Sequence, residues 1–104
     1  MNISAAELSS RNQESNSLNI IDVREQLEFN TFNLGGINIP LGALIRDIED
    51  LDFGKEEEII VICQHGLRSE TARRALTQQG FKNVRNLTGG LVAIQKLKSK
   101  TSTR

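Results

Sequence analysis

Ile59-Ile60-Val61-Ile62-Cys63-Gln64-His65-Gly66-Leu67-Arg68-Ser69-Glu70 is the stretch on which the fold turns. Its β-branched run reads as a buried strand from Glu58 that stops abruptly at the one cysteine of the chain. From about Ser69 to Gln79, Ala72, Ala75 and Leu76 form an inner helical stripe, with Gly80 as the stop. A strand passing straight into a helix is the unit of an α/β domain, and the rest of the chain repeats the alternation.

Upstream, Ser17 to Val23 holds Leu18, Ile20, Ile21 and Val23, a short buried strand. Glu25 to Phe32 reads as a short helix with Leu27 and Phe32 as core contacts, broken by Leu34-Gly35-Gly36. Ile37-Asn38-Ile39-Pro40 is an edge strand, because Pro40 has no N–H for a ladder. Leu44, Ile45, Ile48 and Leu51 recur at helical spacing. At the start, Ser4-Ala5-Ala6-Glu7 is a capping box for a first helix ending near Asn12. Downstream, Val84 to Leu87 is a strand, and Leu91 to Lys98 a last helix turning Leu91, Ile94 and Leu97 inward. The expectation is an α/β domain over residues 1–98 around a mainly parallel sheet. Residues 99–104, with no apolar anchor, are expected to form a flexible basic tail.

No repeat or linker divides the 104 residues, which suffice for one core. Thirteen basic and thirteen acidic side chains cancel, so no overall field invites nucleic acid or anionic lipid. The acids of Asp47 to Glu58 read as a solvated face. A lone cysteine forms no internal disulfide, which suits a reducing compartment. No apolar run approaches the ~20 residues of a membrane span, and Asn2-Ile3-Ser4-Ala5 lacks the apolar core of a secretory signal, so a cytoplasmic location is expected.

In parallel sheets ligands gather at the carboxyl ends of strands, and Cys63 stands at such an end. A nucleophilic thiol needs to be ionised near neutral pH, although a free cysteine has a pKa of about 8.5. A short curl through Gln64-His65-Gly66-Leu67-Arg68 can aim successive N–H groups inward as an anion cradle. The helix start near Ser69 and Glu70 adds its positive end, Gly66 supplies the freedom to turn, and Glu70 is expected to face solvent. On position alone, Cys63 could equally be a small hydrophobe finishing a core strand, and Arg68 a surface arginine.

Cys63-Gln64-His65-Gly66-Leu67-Arg68-Ser69 resembles the active-site loop of the rhodanese-like sulfurtransferases, Cys-x-x-Gly-x-Arg-Ser. Ile21-Asp22-Val23-Arg24-Glu25 is similar to the family's Asp-x-Arg motif, and Asn38-Ile39-Pro40-Leu41 to its Asn-Ile-Pro segment. Gly80-Phe81-Lys82-Asn83-Val84 and Leu87-Thr88-Gly89-Gly90-Leu91 resemble its last helix–strand unit. Two positions depart: Asn33 stands where many members have histidine, and Ile94 where tryptophan is common.

The resemblance implies a single rhodanese-like domain with a five-stranded, mainly parallel sheet flanked by helices on both faces, Asn2-Ile3 adding a very short first strand. It implies a sulfurtransferase in which Cys63 takes sulfane sulfur from thiosulfate, polysulfide or a protein persulfide. The sulfur then passes to a thiol or cyanide acceptor, with no metal or organic cofactor. Backbone amides of Gln64, His65, Gly66, Leu67 and Arg68 would hold the persulfide; His65 reads as an exposed loop side chain, and Arg68 could orient an anionic donor or brace the loop. Asp22 and Arg24 are expected to pair near the site, with Ser69 in support. A sulfur-carrier protein or a cysteine desulfurase would be a fitting partner.

Two rivals share the fold. One is a non-catalytic rhodanese module binding a protein partner, although such members generally lack the cysteine. The other is a phosphatase or arsenate reductase, whose loop has five residues between cysteine and arginine where this chain has four, Gln64 to Leu67.

Overall fold

The structure, a computed structural model, describes residues 1–14 and 17–102. In chain order it runs β1 Asn2–Ile3, α1 Ala5–Glu14, β2 Ile20–Asp22, α2 Gln26–Thr31, β3 Ile37–Asn38 and α3 Leu41–Arg46. A 3-10 turn at Ile48–Asp50 follows, then β4 Glu58–Ile62, α4 Leu67–Gln78, β5 Asn83–Leu87 and α5 Gly90–Ser102. The five strands form one sheet in the order β1-β5-β4-β2-β3. Every pairing is parallel, with Ile21 facing Val61, Asp22 facing Ile62, and Val61 facing Asn86.

Alternation along β4 divides the interior in two. Ile59, Val61 and Cys63 face a core shared with Leu44 of α3 and with Ala72 and Leu76 of α4. Ile60 and Ile62 face the opposite way, toward Leu8 of α1 and Leu91 and Ile94 of α5. The sheet is therefore covered on both sides, as a continuous apolar strand requires.

Several boundaries differ from the expectation, each for a physical reason. Helix α4 begins at Leu67 because Gly66, at φ 95°, takes the left-handed N-cap conformation. Leu27, expected in the core, is 80% exposed. Helix α2 buries none of its own residues and is tied down by polar contacts instead, while Phe32, just past its end, packs against the core behind β4. Ile45 is likewise exposed, since α3 ends one residue later. Ser4 Oγ accepts the Glu7 N–H, but the Glu7 carboxylate turns to Arg85 rather than closing the box. Helix α5 runs to Ser102, past the expected end at Lys98; of the expected tail, Thr103 and Arg104 lie outside the described residues.

Candidate active site: the Cys63 loop

Strand β4 delivers Cys63 to the carboxyl edge of the sheet, and the turn through Gly66 folds back over its sulfur. The Gly66 N–H donates to Cys63 Sγ at 3.1 Å and the Ser69 N–H at 3.3 Å, while Ser69 Oγ lies 3.3 Å away. The Ser69 amide belongs to the first turn of α4, where backbone N–H groups have no partner inside the helix. Burial alone pushes the thiol up. The Ser69 hydroxyl and the amides of Ser69, Gly66 and His65 outweigh it, and the pKa ends below that of an ordinary thiol. The cradle is thus built of amides at 65, 66 and 69, one of them beyond the 64–68 span expected.

The loop rests on the start of α5. Leu91 N–H donates to the Cys63 carbonyl at 2.9 Å and Val92 N–H to that of Gln64 at 3.1 Å. That approach demands glycine at 90, where a Cβ would stand 2.4 Å from the Gln64 oxygen and 2.6 Å from that of Cys63. The paired glycines are the floor of the cradle.

Arg68 braces. Its two terminal nitrogens bond the Glu28 carboxylate at 2.8 and 3.1 Å, joining α4 to α2. Those hydrogen bonds hold the Glu28 carboxyl well below the usual carboxylate range, at about 2. Glu28 also accepts the Glu25 N–H in a capping box of α2. Asp22 and Arg24 form a buried pair at 2.9 Å, and Arg24 also donates to the Phe32 carbonyl, fixing the end of α2. Asn38 completes that corner by donating to the carbonyls of Asp22 and Arg24. Between α2 and the loop opens a cleft of about 570 Å³ lined by Arg24, Leu27, Glu28, Phe32, Gln64 and Gln95. His65 and Leu67 are exposed at the loop surface. Glu70 pairs with Arg73 and Arg74 rather than standing free in solvent, with an oxygen 3.4 Å from Asn86 Nδ2.

Cys63, His65, Gly66 and Ser69 therefore converge on the sulfur, whereas Arg68, Asp22 and Arg24 hold the surrounding elements. Gln64 stands in the cleft wall. Sequence reasoning missed Glu28 and Asn86. Glu28 had a signal in the Glu25-x-x-Glu28 box; Asn86 had none of that kind, being one of three polar residues in Asn83-Val84-Arg85-Asn86-Leu87. The described residues contain no cluster of metal-ligating side chains and no helix long and apolar enough to cross a membrane.

The family model of the Rhodanese-like domain matches residues 4–97. The thiosulfate sulfurtransferase GlpE of Shewanella oneidensis is 33% identical over 81 residues, covering 77% of this chain and 78% of GlpE. YrkF of Bacillus subtilis, named as a candidate sulfur carrier protein, is 42% identical over 76 residues; the match takes in 72% of this chain but only 40% of YrkF. Among solved structures, the rhodanese-like domain of an Anabaena protein superimposes with a TM-score of 0.81 at 26% identity, covering 92% of this chain and 74% of that one. With its loop, its sheet order and its glycine floor in place, the chain belongs to the rhodanese-like domain family.

Proposed function

We propose that the protein is a sulfurtransferase in which Cys63 carries sulfane sulfur as a persulfide. The observation that carries this reading is the convergence of backbone N–H groups and the Ser69 hydroxyl on one thiol whose pKa they lower. Thiolate Sγ attacks the outer sulfur of a donor. With thiosulfate, the new S–S bond forms as the bond to the sulfite sulfur breaks, and sulfite departs with the electron pair. The product, Cys63–S–S⁻, bears its charge on the outer sulfur, within the amide cradle. Cyanide or a thiolate then takes that outer sulfur and returns the Cys63 thiolate, so no redox partner enters the cycle.

Cys63 is only 1% exposed, so a donor must thread its terminal atom into the cradle. A ring closed by four intervening residues is small, which favours a single sulfur atom over a tetrahedral oxyanion. Delivery to a sulfur-carrier protein, from thiosulfate or from a protein persulfide, fits the sulfur chemistry named for GlpE and YrkF. Intact-protein mass spectrometry after incubation with thiosulfate or polysulfide tests the reading. A gain of one sulfur atom, removed by cyanide and absent in Cys63→Ser, is expected; no adduct with either donor would refute it.

A further inference from the structure

Asn86, on β5 beneath the loop, is buried, and its side-chain amide is engaged at both ends. Nδ2 donates to the Gly66 carbonyl at 3.1 Å and lies 3.4 Å from a Glu70 oxygen. Both neighbours are acceptors, so the amide orientation is fixed and Oδ1 must face Ser69. There it accepts the Ser69 hydroxyl in a 2.5 Å hydrogen bond. Ser69 Oγ is also 3.3 Å from Cys63 Sγ. A serine hydroxyl has one proton, and once Cys63 ionises it has two acceptors.

We propose that Asn86 is a positioning residue acting through Ser69, parking the serine proton while Sγ is neutral and releasing it to Sγ when Sγ is an anion. In the thiol, S–H donates to Ser69 Oγ, whose own proton lies on Asn86. On ionisation the hydroxyl turns to the sulfur. The idea deepens the sulfur-transfer reading and rests on it for its purpose. In that cycle Sγ alternates between an anion and the neutral inner atom of a persulfide. The Gly66 and Ser69 amides are fixed in the cradle, whereas the Ser69 hydroxyl can follow that alternation, turning to Sγ when it is an anion and back to Asn86 when it is neutral. The charged groups on the surrounding elements are paired: Arg68 with Glu28, Glu70 with Arg73 and Arg74, Asp22 with Arg24. Ser69 is therefore the movable proton at the sulfur, with exposed His65 at the outer surface of the loop.

A double-mutant cycle on Cys63 ionisation, read as alkylation rate against pH, tests this in the wild type, Asn86→Leu, Ser69→Ala and the double variant. Removing Asn86 should lower the midpoint, relative to its effect in the Ser69→Ala background, by at least about half a pH unit, or threefold in the ionisation equilibrium. The cycle cancels whatever the loss of Asn86 does to Gly66. Equal shifts in the two backgrounds would overturn the proposal. A second measurement needs no Asn86 variant: the Asn86 side-chain carbonyl ¹³C shift should titrate with the Cys63 midpoint in the wild type and lie flat in Ser69→Ala. A flat wild-type titration would also overturn it. Neither readout uses a sulfur donor, so a protein that fails to transfer sulfur would sink the function proposed above while leaving this result to stand by itself.

Discussion

At the residue scale, reactivity comes from hydrogen bonds rather than from a neighbouring cation. Since the acid form of Cys63 is disfavoured in the fold, the thiolate persists to lower pH than in an ordinary thiol. Alkylation by iodoacetamide should stay fast as pH falls from 9 and slow only through the depressed midpoint; a curve matching a free thiol would mean the cradle does not act. Cys63→Ser should remove cyanide-dependent thiocyanate formation entirely and leave the circular dichroism spectrum intact, the two side chains differing little in volume. The sequence disclosed this thiol clearly, because a single cysteine ending an apolar strand is conspicuous. It hid Asn86, whose importance depends on which strand lies beside β4, a fact of sheet order rather than of local sequence.

Between elements, two ties hold the loop. The Glu28–Arg68 pair joins α2 to α4 with both side chains 38% exposed, so it is worth about 1 kcal/mol at most. Glu28 is depressed from 4.5 to about 2, so its contribution is complete above its unfolded value and fades as pH falls toward its folded one. Glu28→Gln should therefore flatten the fall in urea midpoint between pH 5 and pH 2; an unchanged slope would remove the pair from the stability account. The second tie is the floor. Gly90→Ala forces a methyl group against two carbonyls, in a backbone at φ 65°, and should cost about 1–3 kcal/mol while slowing Cys63 alkylation. Wild-type alkylation in a folded Gly90→Ala protein would show the floor to be dispensable. Sequence periodicity located these helices but not their loads. Leu27 looked like a core residue because its helix is short and apolar residues are few, yet polar ties rather than an apolar stripe anchor α2.

For the whole molecule, the two-sided sheet separates stability from chemistry. Ile60 is fully buried on the α1–α5 side, away from the face that Cys63 shares with Ile59 and Val61. Ile60→Ala should lose about 2–5 kcal/mol, a large part of the 5–15 typical of a domain, yet leave the alkylation midpoint in place wherever the protein is folded. Chemical denaturation and the pH–rate curve together check it; a shifted midpoint would mean the cores are coupled. The parallel architecture was legible from the alternation of short apolar strands with helices, and the order β1-β5-β4-β2-β3 places Cys63 at the end of its central strand. At the opposite end of β4, Glu58 gathers Arg11 and Arg85, so charge fastens the amino end of that strand.

The contact between Leu91, Val92 and the carbonyls of Cys63 and Gln64 also sets an order in time. In synthesis Cys63 leaves the ribosome ahead of Asn86 and Gly90, so the nascent thiol emerges without its floor and without Asn86. Until the segment containing β5 and the start of α5 arrives and docks, the cysteine titrates as an ordinary thiol, poorly nucleophilic at neutral pH. On the sulfur-transfer reading proposed above, completion of the domain switches reactivity on, which would spare a half-made chain from collecting sulfur it could not yet hold.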